Sequence, residues 1–140
     1  MRDTLFKGLF RGKRIDNDEW VEGYLIQSTE IYGKPDPHTF IVNHEHPQSC
    51  FGSDIYIEVI PETVGYFIGR RDKNGKRMFE GDIIKSVIGN VIVIFKNCGF
   101  MGEVIGKQFY YDLYDDNLNS VEVIGNIYDN PELLEQEENK

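Results

Sequence analysis

The sequence predicts a mainly β protein, built as a small barrel or sandwich. Three observations carry this. Apolar residues recur with period two rather than 3.6, in short runs rich in β-branched and aromatic side chains. Fourteen glycines, with clusters of Asn, Asp and Pro, separate those runs. The segment Asn90-Val-Ile-Val-Ile-Phe95 is almost continuously apolar over strand length, as a strand covered on both faces would be.

In chain order, Arg11-Gly-Lys-Arg14 reads as a basic turn leading into a strand at Trp20-Val-Glu-Gly-Tyr-Leu-Ile-Gln-Ser28. Loops are expected over residues 28–39 and 43–54, where Pro, His, Ser and Asp recur. Ile55-Tyr-Ile-Glu-Val-Ile60 is the next strand-like run. Tyr66-Phe-Ile-Gly-Arg70 and Arg77-Met-Phe-Glu80 form the arms of a hairpin. Gly81-Asp82 then turns the chain into Asp82-Ile-Ile-Lys-Ser-Val87. Val121-Glu-Val-Ile-Gly-Asn-Ile127 is the last strand. A short helix is predicted after it, with Asn130 as cap, Pro131 at the first helical position and Glu132 against the positive end of the dipole. Met78-Phe-Glu-Gly-Asp-Ile-Ile-Lys-Ser86 repeats the Trp20–Ser28 pattern without a gap at an offset of 58, which suggests a turn-plus-strand element used twice. The expected core includes Trp20, Leu25, Ile57, Val64, Phe79, Ile83, Val91, Val93, Phe95, Val123 and Ile127.

The totals restrict the function classes. A chain of 140 residues with 40% hydrophobic residues can bury a core, as one domain or two small units. With 24 acidic against 15 basic residues the net charge is −9, which disfavours general binding to nucleic acid or anionic membranes. No apolar run is long enough to span a bilayer, and the charged N-terminus lacks the apolar stretch of a signal peptide. Cys50 and Cys98 have no paired spacing and read as free thiols of a reducing cytoplasm. Charge is unevenly spread. Ten of the 15 basic residues fall in 1–14 and 70–77, whereas 108–139 carries nine acids and no Lys or Arg. Such a split fits basic surfaces docking on the acidic end, within a chain or between copies, as well as two solvated faces.

The densest candidate for chemistry is TVGYFIGRRDKNGKRMFEGDII, residues 63–84. It fails as a phosphate loop, because five residues separate Gly69 from Gly75 and Arg77 stands where a Ser or Thr hydroxyl should meet magnesium. Its glycines run between strands rather than opening a helix, so it is no dinucleotide fingerprint. As a calcium loop it would place Lys76 at a ligand position, Arg77 where glycine is needed and Ile83 at the bidentate acid. What remains is a hairpin with Asn74-Gly75 at positive φ in a type I′ turn, and Gly69, Gly81 and Asp82 as further backbone positions. Arg70, Arg71, Lys73, Lys76 and Arg77 crowd its tip near Tyr66, Phe67 and Phe79. A tip of that kind keeps an edge soluble, or it tracks a phosphate backbone while bases stack on the rings.

Elsewhere, His44, His46 and Cys50 are ligand-type residues without the spacing of an established zinc site, and no metal or cofactor is expected. The acid pairs Glu80/Asp82, Asp115/Asp116 and Glu58/Glu62 have no His within a few positions, so no acid–base pair is expected. No nucleophile elbow is present. The chain reads as a non-enzyme.

Val59-Ile-Pro-Glu-Thr-Val-Gly65, Gly69, Asp72-Lys-Asn-Gly75 and Glu80-Gly-Asp-Ile-Ile84 together resemble the signature of the YopX family. Glu122-Val-Ile-Gly-Asn-Ile-Tyr-Asp-Asn-Pro-Glu-Leu-Leu134, Phe10-Arg-Gly12 and Trp20-Val-Glu-Gly-Tyr-Leu25 resemble its two ends. The resemblance implies a phage or prophage protein of Gram-positive bacteria with an SH3-like barrel in its C-terminal half, and it implies no activity. The expected organisation is an N-terminal β subdomain over 1–62, the SH3-like barrel over 63–128, and a helix with an acidic tail over 129–140. The expected role is a cytoplasmic accessory protein acting by protein–protein contact, with a second copy of itself among the candidate partners. The alternative is single-stranded nucleic-acid binding through the 70–77 hairpin.

Overall fold

A computed structural model describes residues 9–28, 38–42, 56–113 and 120–135. The fold is mainly β and wholly antiparallel, in two compact units that meet in the chain at Phe67 and Ile68.

The N-terminal unit contains β1 (Leu9–Lys13), β2 (Trp20–Ser28), β3 (His38–Val42), β4 (Tyr56–Glu58) and the start of β5 (Gly65–Arg71). Their order is β4-β3-β2-β1-β5. The basic turn expected at Arg11–Arg14 is instead a central strand, since β1 pairs with β2 through Lys13↔Trp20 and with β5 through Arg11↔Gly65. Two local features make this possible. The Arg11 guanidinium is buried over the Trp20 ring, 4.5 Å from its centroid, so its charge meets the negative face of an indole. Gly12 has no side chain, and an added Cβ would stand 3.0 Å from Val59. β3, placed within an expected loop at its first two residues, is a strand because Thr39, Phe40, Ile41 and Val42 all find buried positions. A 3₁₀ turn at Pro61–Thr63 is fastened by Thr63, whose hydroxyl donates to Ile60 O at 2.6 Å and accepts from Lys13 N at 2.9 Å.

In the C-terminal unit the end of β5 leads through a turn to β6 (Arg77–Phe79). There follow β7 (Asp82–Ser86), β8 (Gly89–Lys96), β9 (Gly99–Val104), β10 (Tyr110–Asp112) and β11 (Glu122–Asn126). Five of these make a sheet ordered β10-β9-β8-β7-β11, with no pairing between β10 and β11 among the described residues. One face carries Ile84, Val91, Val93, Val104 and Val123, closed over by Met78, Leu113 and Val121. Phe95, expected in this core, is 51% exposed. The face runs out at the end of β8, where the ring meets Phe100 edge-on at 5.2 Å. Trp20, Leu25, Val64 and Ile127 are half-buried, and the other expected core residues are buried.

Two expectations are corrected. The C-terminal helix is a single 3₁₀ turn, Pro131–Leu134. Asn130 does not cap it, because its Oδ1 accepts from Asn126 N at 3.1 Å and so closes the loop after β11. The apparent repeat encodes two different shapes. Trp20–Ser28 is one continuous strand, whereas Met78–Ser86 bends between β6 and β7 at Gly81, φ +95°.

Candidate functional site

The 70–77 turn is built around Asp72. Gly75 N donates to Asp72 O and Asp72 N to Lys76 O, so a four-residue turn runs from Asp72 to Gly75. Only Gly75 has positive φ, +83°, and Asn74 does not. The turn is therefore type I followed by a left-handed glycine rather than type I′. The Asp72 side chain selects it. One carboxylate oxygen accepts from Asn74 N at 2.9 Å and from Lys76 N at 2.8 Å, which fixes the chain in the tight turn. The other accepts from Val123 N at 2.9 Å, and Lys73 N donates to Val121 O at 3.0 Å. The turn is thus stitched to β11. Asp72 is only 6% exposed. Burial pushes its carboxyl up, but the three N–H donors and the Lys76 charge outweigh that and hold it below its ordinary value.

Around this frame Arg70, Arg71, Lys73 and Lys76 are exposed and Arg77 half-buried. Arg71 Nη1 donates to Gly75 O at 3.0 Å, and Lys73 Nζ stands 3.7 Å from Glu122. Of the three neighbouring rings only Tyr66 faces solvent, tilted at 41° against Phe10 with centroids 4.6 Å apart, while Phe67 and Phe79 are buried. Gly69 has φ +86° on an exposed stretch of β5. Gly81 and Asp82 form a buried junction. Asp82 Oδ2 accepts from Phe79 N at 2.8 Å, Gly81 N donates to Val93 O, and Ile127 N donates to Gly81 O.

His44, His46 and Cys50 lie outside the described residues. Among the described residues no three His, Cys, Asp or Glu side chains are placed to hold a metal, and Cys98 is a free, exposed thiol. In the N-terminal unit His38 Nδ1 and Glu58 Oε2 meet at 2.5 Å, tying β3 to β4. That pair is not adjacent in sequence, and only the β3–β4 pairing reveals it.

Sequence reasoning missed a second feature. The strand read as running to Val87 stops at Ser86, and Val87-Ile88 forms the tip of the β7–β8 hairpin. Ser86 Oγ accepts from Ile88 N and donates to Gly89 O, so the turn is locked. Val87 is 100% exposed and Ile88 48%. Beside it, Ile105 N donates to Asn90 O, which brings the β9–β10 turn and the 52% exposed Phe109 to the same end of the sheet. The signal was available: turn positions ordinarily hold Gly, Asn or Asp, and here two β-branched residues sit between Ser86 and Gly89.

Fold and site together define a small antiparallel β protein with a basic, Asp-locked turn and apolar hairpin tips. The chain belongs to the YopX family, whose profile, described as YopX protein, matches residues 9–135. It is similar to two solved structures. Protein EF1440 from Enterococcus faecalis is 21% identical over 90% of this chain and 96% of that one, with a TM-score of 0.48. The yopX protein from Bacillus subtilis is 17% identical over 97% of this chain and 98% of that one, with a TM-score of 0.49. No curated protein matches the sequence. Among the described residues no helix is long and apolar enough to cross a membrane.

Proposed function

We propose that this is a non-catalytic accessory protein of phage or prophage origin that acts in the host cytoplasm by binding protein. The phage setting and the SH3-like reading of residues 63–128 rest on family membership. The observation that carries the binding role is the locked Val87-Ile88 tip. Val87 is wholly in solvent and Ile88 about half so, and with the exposed Phe109 at the same end of the sheet they supply the apolar surface that a contact site needs. The test is affinity capture from induced host cells with the wild type and with Val87→Ser/Ile88→Ser. The expected result is a protein retained by the wild type and lost with the variant. Indistinguishable captures would overturn the reading.

A second reading has its own observation: Arg70, Arg71 and Lys76 project from a turn that Asp72 holds rigid, which suits a phosphate backbone. With Phe67 and Phe79 buried, base stacking would fall to Tyr66 alone. Replacing Arg70, Arg71 and Lys73 by Glu is expected to abolish oligonucleotide binding that already weakens steeply with salt. Absence of any wild-type shift at low salt would end this reading.

A further inference from the structure

The C-terminal unit is polar along its strands. β7 and β11 are antiparallel neighbours, with Glu122 opposite Lys85 at one end and Asn126 opposite Asp82 at the other. At the first end lie the Val87-Ile88 tip, the exposed Phe109 and the exposed Lys85 and Lys107. The 72–76 turn joins the same end, through Lys73 N to Val121 O. Among the described residues, Glu122 pairs opposite Lys85 at this end and faces Lys73 at 3.7 Å, and the half-buried Glu103 pairs with Tyr110 beside Phe109. The opposite end is acidic. Ile127 N on Gly81 O and Asn130 on Asn126 hold the terminal 3₁₀ turn there, with Asp129, Glu132 and Glu135 exposed beside half-buried Leu133 and Leu134. Lys96 also leaves the sheet at that end, but its ammonium is held 3.7 Å over the Tyr110 ring.

From this we infer that the basic, apolar end of one copy receives the acidic 3₁₀ turn of a second copy, Lys85 and Lys107 facing Glu132 and Glu135 while Val87, Ile88 and Phe109 meet Leu133 and Leu134. The inference rests on the protein-contact reading and names its partner. Charge and apolar character match on both sides, as a specific interface requires. Along β7 the two surfaces lie at opposite ends, four residue steps or about 13 Å apart. The contact is head-to-tail, joining unlike surfaces, so it generates a ring or an open chain rather than a two-fold dimer.

Sedimentation velocity on the whole chain tests it. At about 100 μM protein the wild type should sediment as oligomers in about 50 mM salt and shift towards monomer in about 500 mM, since exposed charge pairs are screened. Lys85→Glu/Lys107→Glu puts acids where the acidic turn is to dock, and Glu132→Lys/Glu135→Lys puts bases on that turn. Each variant alone should be monomeric, with association weakened about tenfold or more. Mixed in equal amounts they should associate again, because each supplies the end that the other lacks. All four positions are exposed, and unchanged thermal melting identifies folded variants. A wild type monomeric at low salt, association that survives either reversal, or no recovery on mixing overturns the inference. A monomeric wild type that still captures a host protein through Val87-Ile88 would leave the protein-contact role standing and remove only the second copy as partner.

Discussion

Asp72→Ala is expected to destabilise the C-terminal unit by about 3 kcal/mol, near the upper end for a single substitution. The wild-type carboxylate satisfies three backbone donors, Asn74 N, Lys76 N and Val123 N, from a site sheltered from water. Alanine leaves all three to find other acceptors, and the turn loses both its internal fastening and one of its two stitches to β11. Thermal melting should show a drop of about 10 °C. Hydrogen exchange should quicken first at Asn74, Lys76 and Val123. Asp72→Asn separates geometry from charge: its single oxygen can serve one side of the site, while its NH₂ opposes a backbone donor on the other. It should therefore recover part of the loss and no more. The pH dependence has a definite sign. The folded carboxyl titrates below its ordinary value of 3.8, so its contribution is fully present above that value. It is lost as pH falls through the depressed folded value, because the unfolded chain binds the proton more readily. Asp72→Asn should lack this acid-side loss. An alanine variant as stable as the wild type would show that the turn forms without its carboxylate.

The same residue shows what the sequence could and could not reveal. The strands were legible because their signal is local: alternation in β4 and β11, and a continuous apolar run in β8. The position of the turn was legible from Asn74-Gly75, but its type was not. The choice between type I and type I′ is made by Asp72 Oδ1 on two amides, reinforced from Val123, which is 51 residues away. β1 was misread for a related reason. Arg11, Lys13 and Arg14 look like a solvated turn until Trp20 across the strand supplies a ring face for Arg11. Pairings of that kind depend on register between segments, which spacing along the chain does not encode. The exposed Val87-Ile88 tip was absorbed into a strand because β-branched residues are strand formers, and only the Ser86 lock and the exposure of both side chains separate the two readings.

Gly23→Ala is expected to be the most damaging small substitution in the N-terminal unit, at about 3 kcal/mol. Gly23 aligns with Gly81 in the apparent repeat, yet the two glycines answer different demands. Gly81 supplies a positive φ at a bend. Gly23 lies within β2, where an added Cβ would stand 2.0 Å from Val42 O, 2.8 Å from Val42 C and 3.0 Å from Ile41 Cγ2. The first two are main-chain atoms, so no rotamer change relieves the overlap and the β2–β3 pairing must shift. That pairing carries Ile41 and Val42 into the core, so the displacement spreads to buried side chains. Gly99→Ala is the matched control. A Cβ there meets nothing within 4 Å, and the backbone is not left-handed, so stability should stay within about 0.5 kcal/mol of wild type. Urea unfolding of the two variants side by side distinguishes steric exclusion from a general loss of glycine flexibility. Equal effects at both positions would mean that the close approach to Val42 is not what requires glycine at position 23.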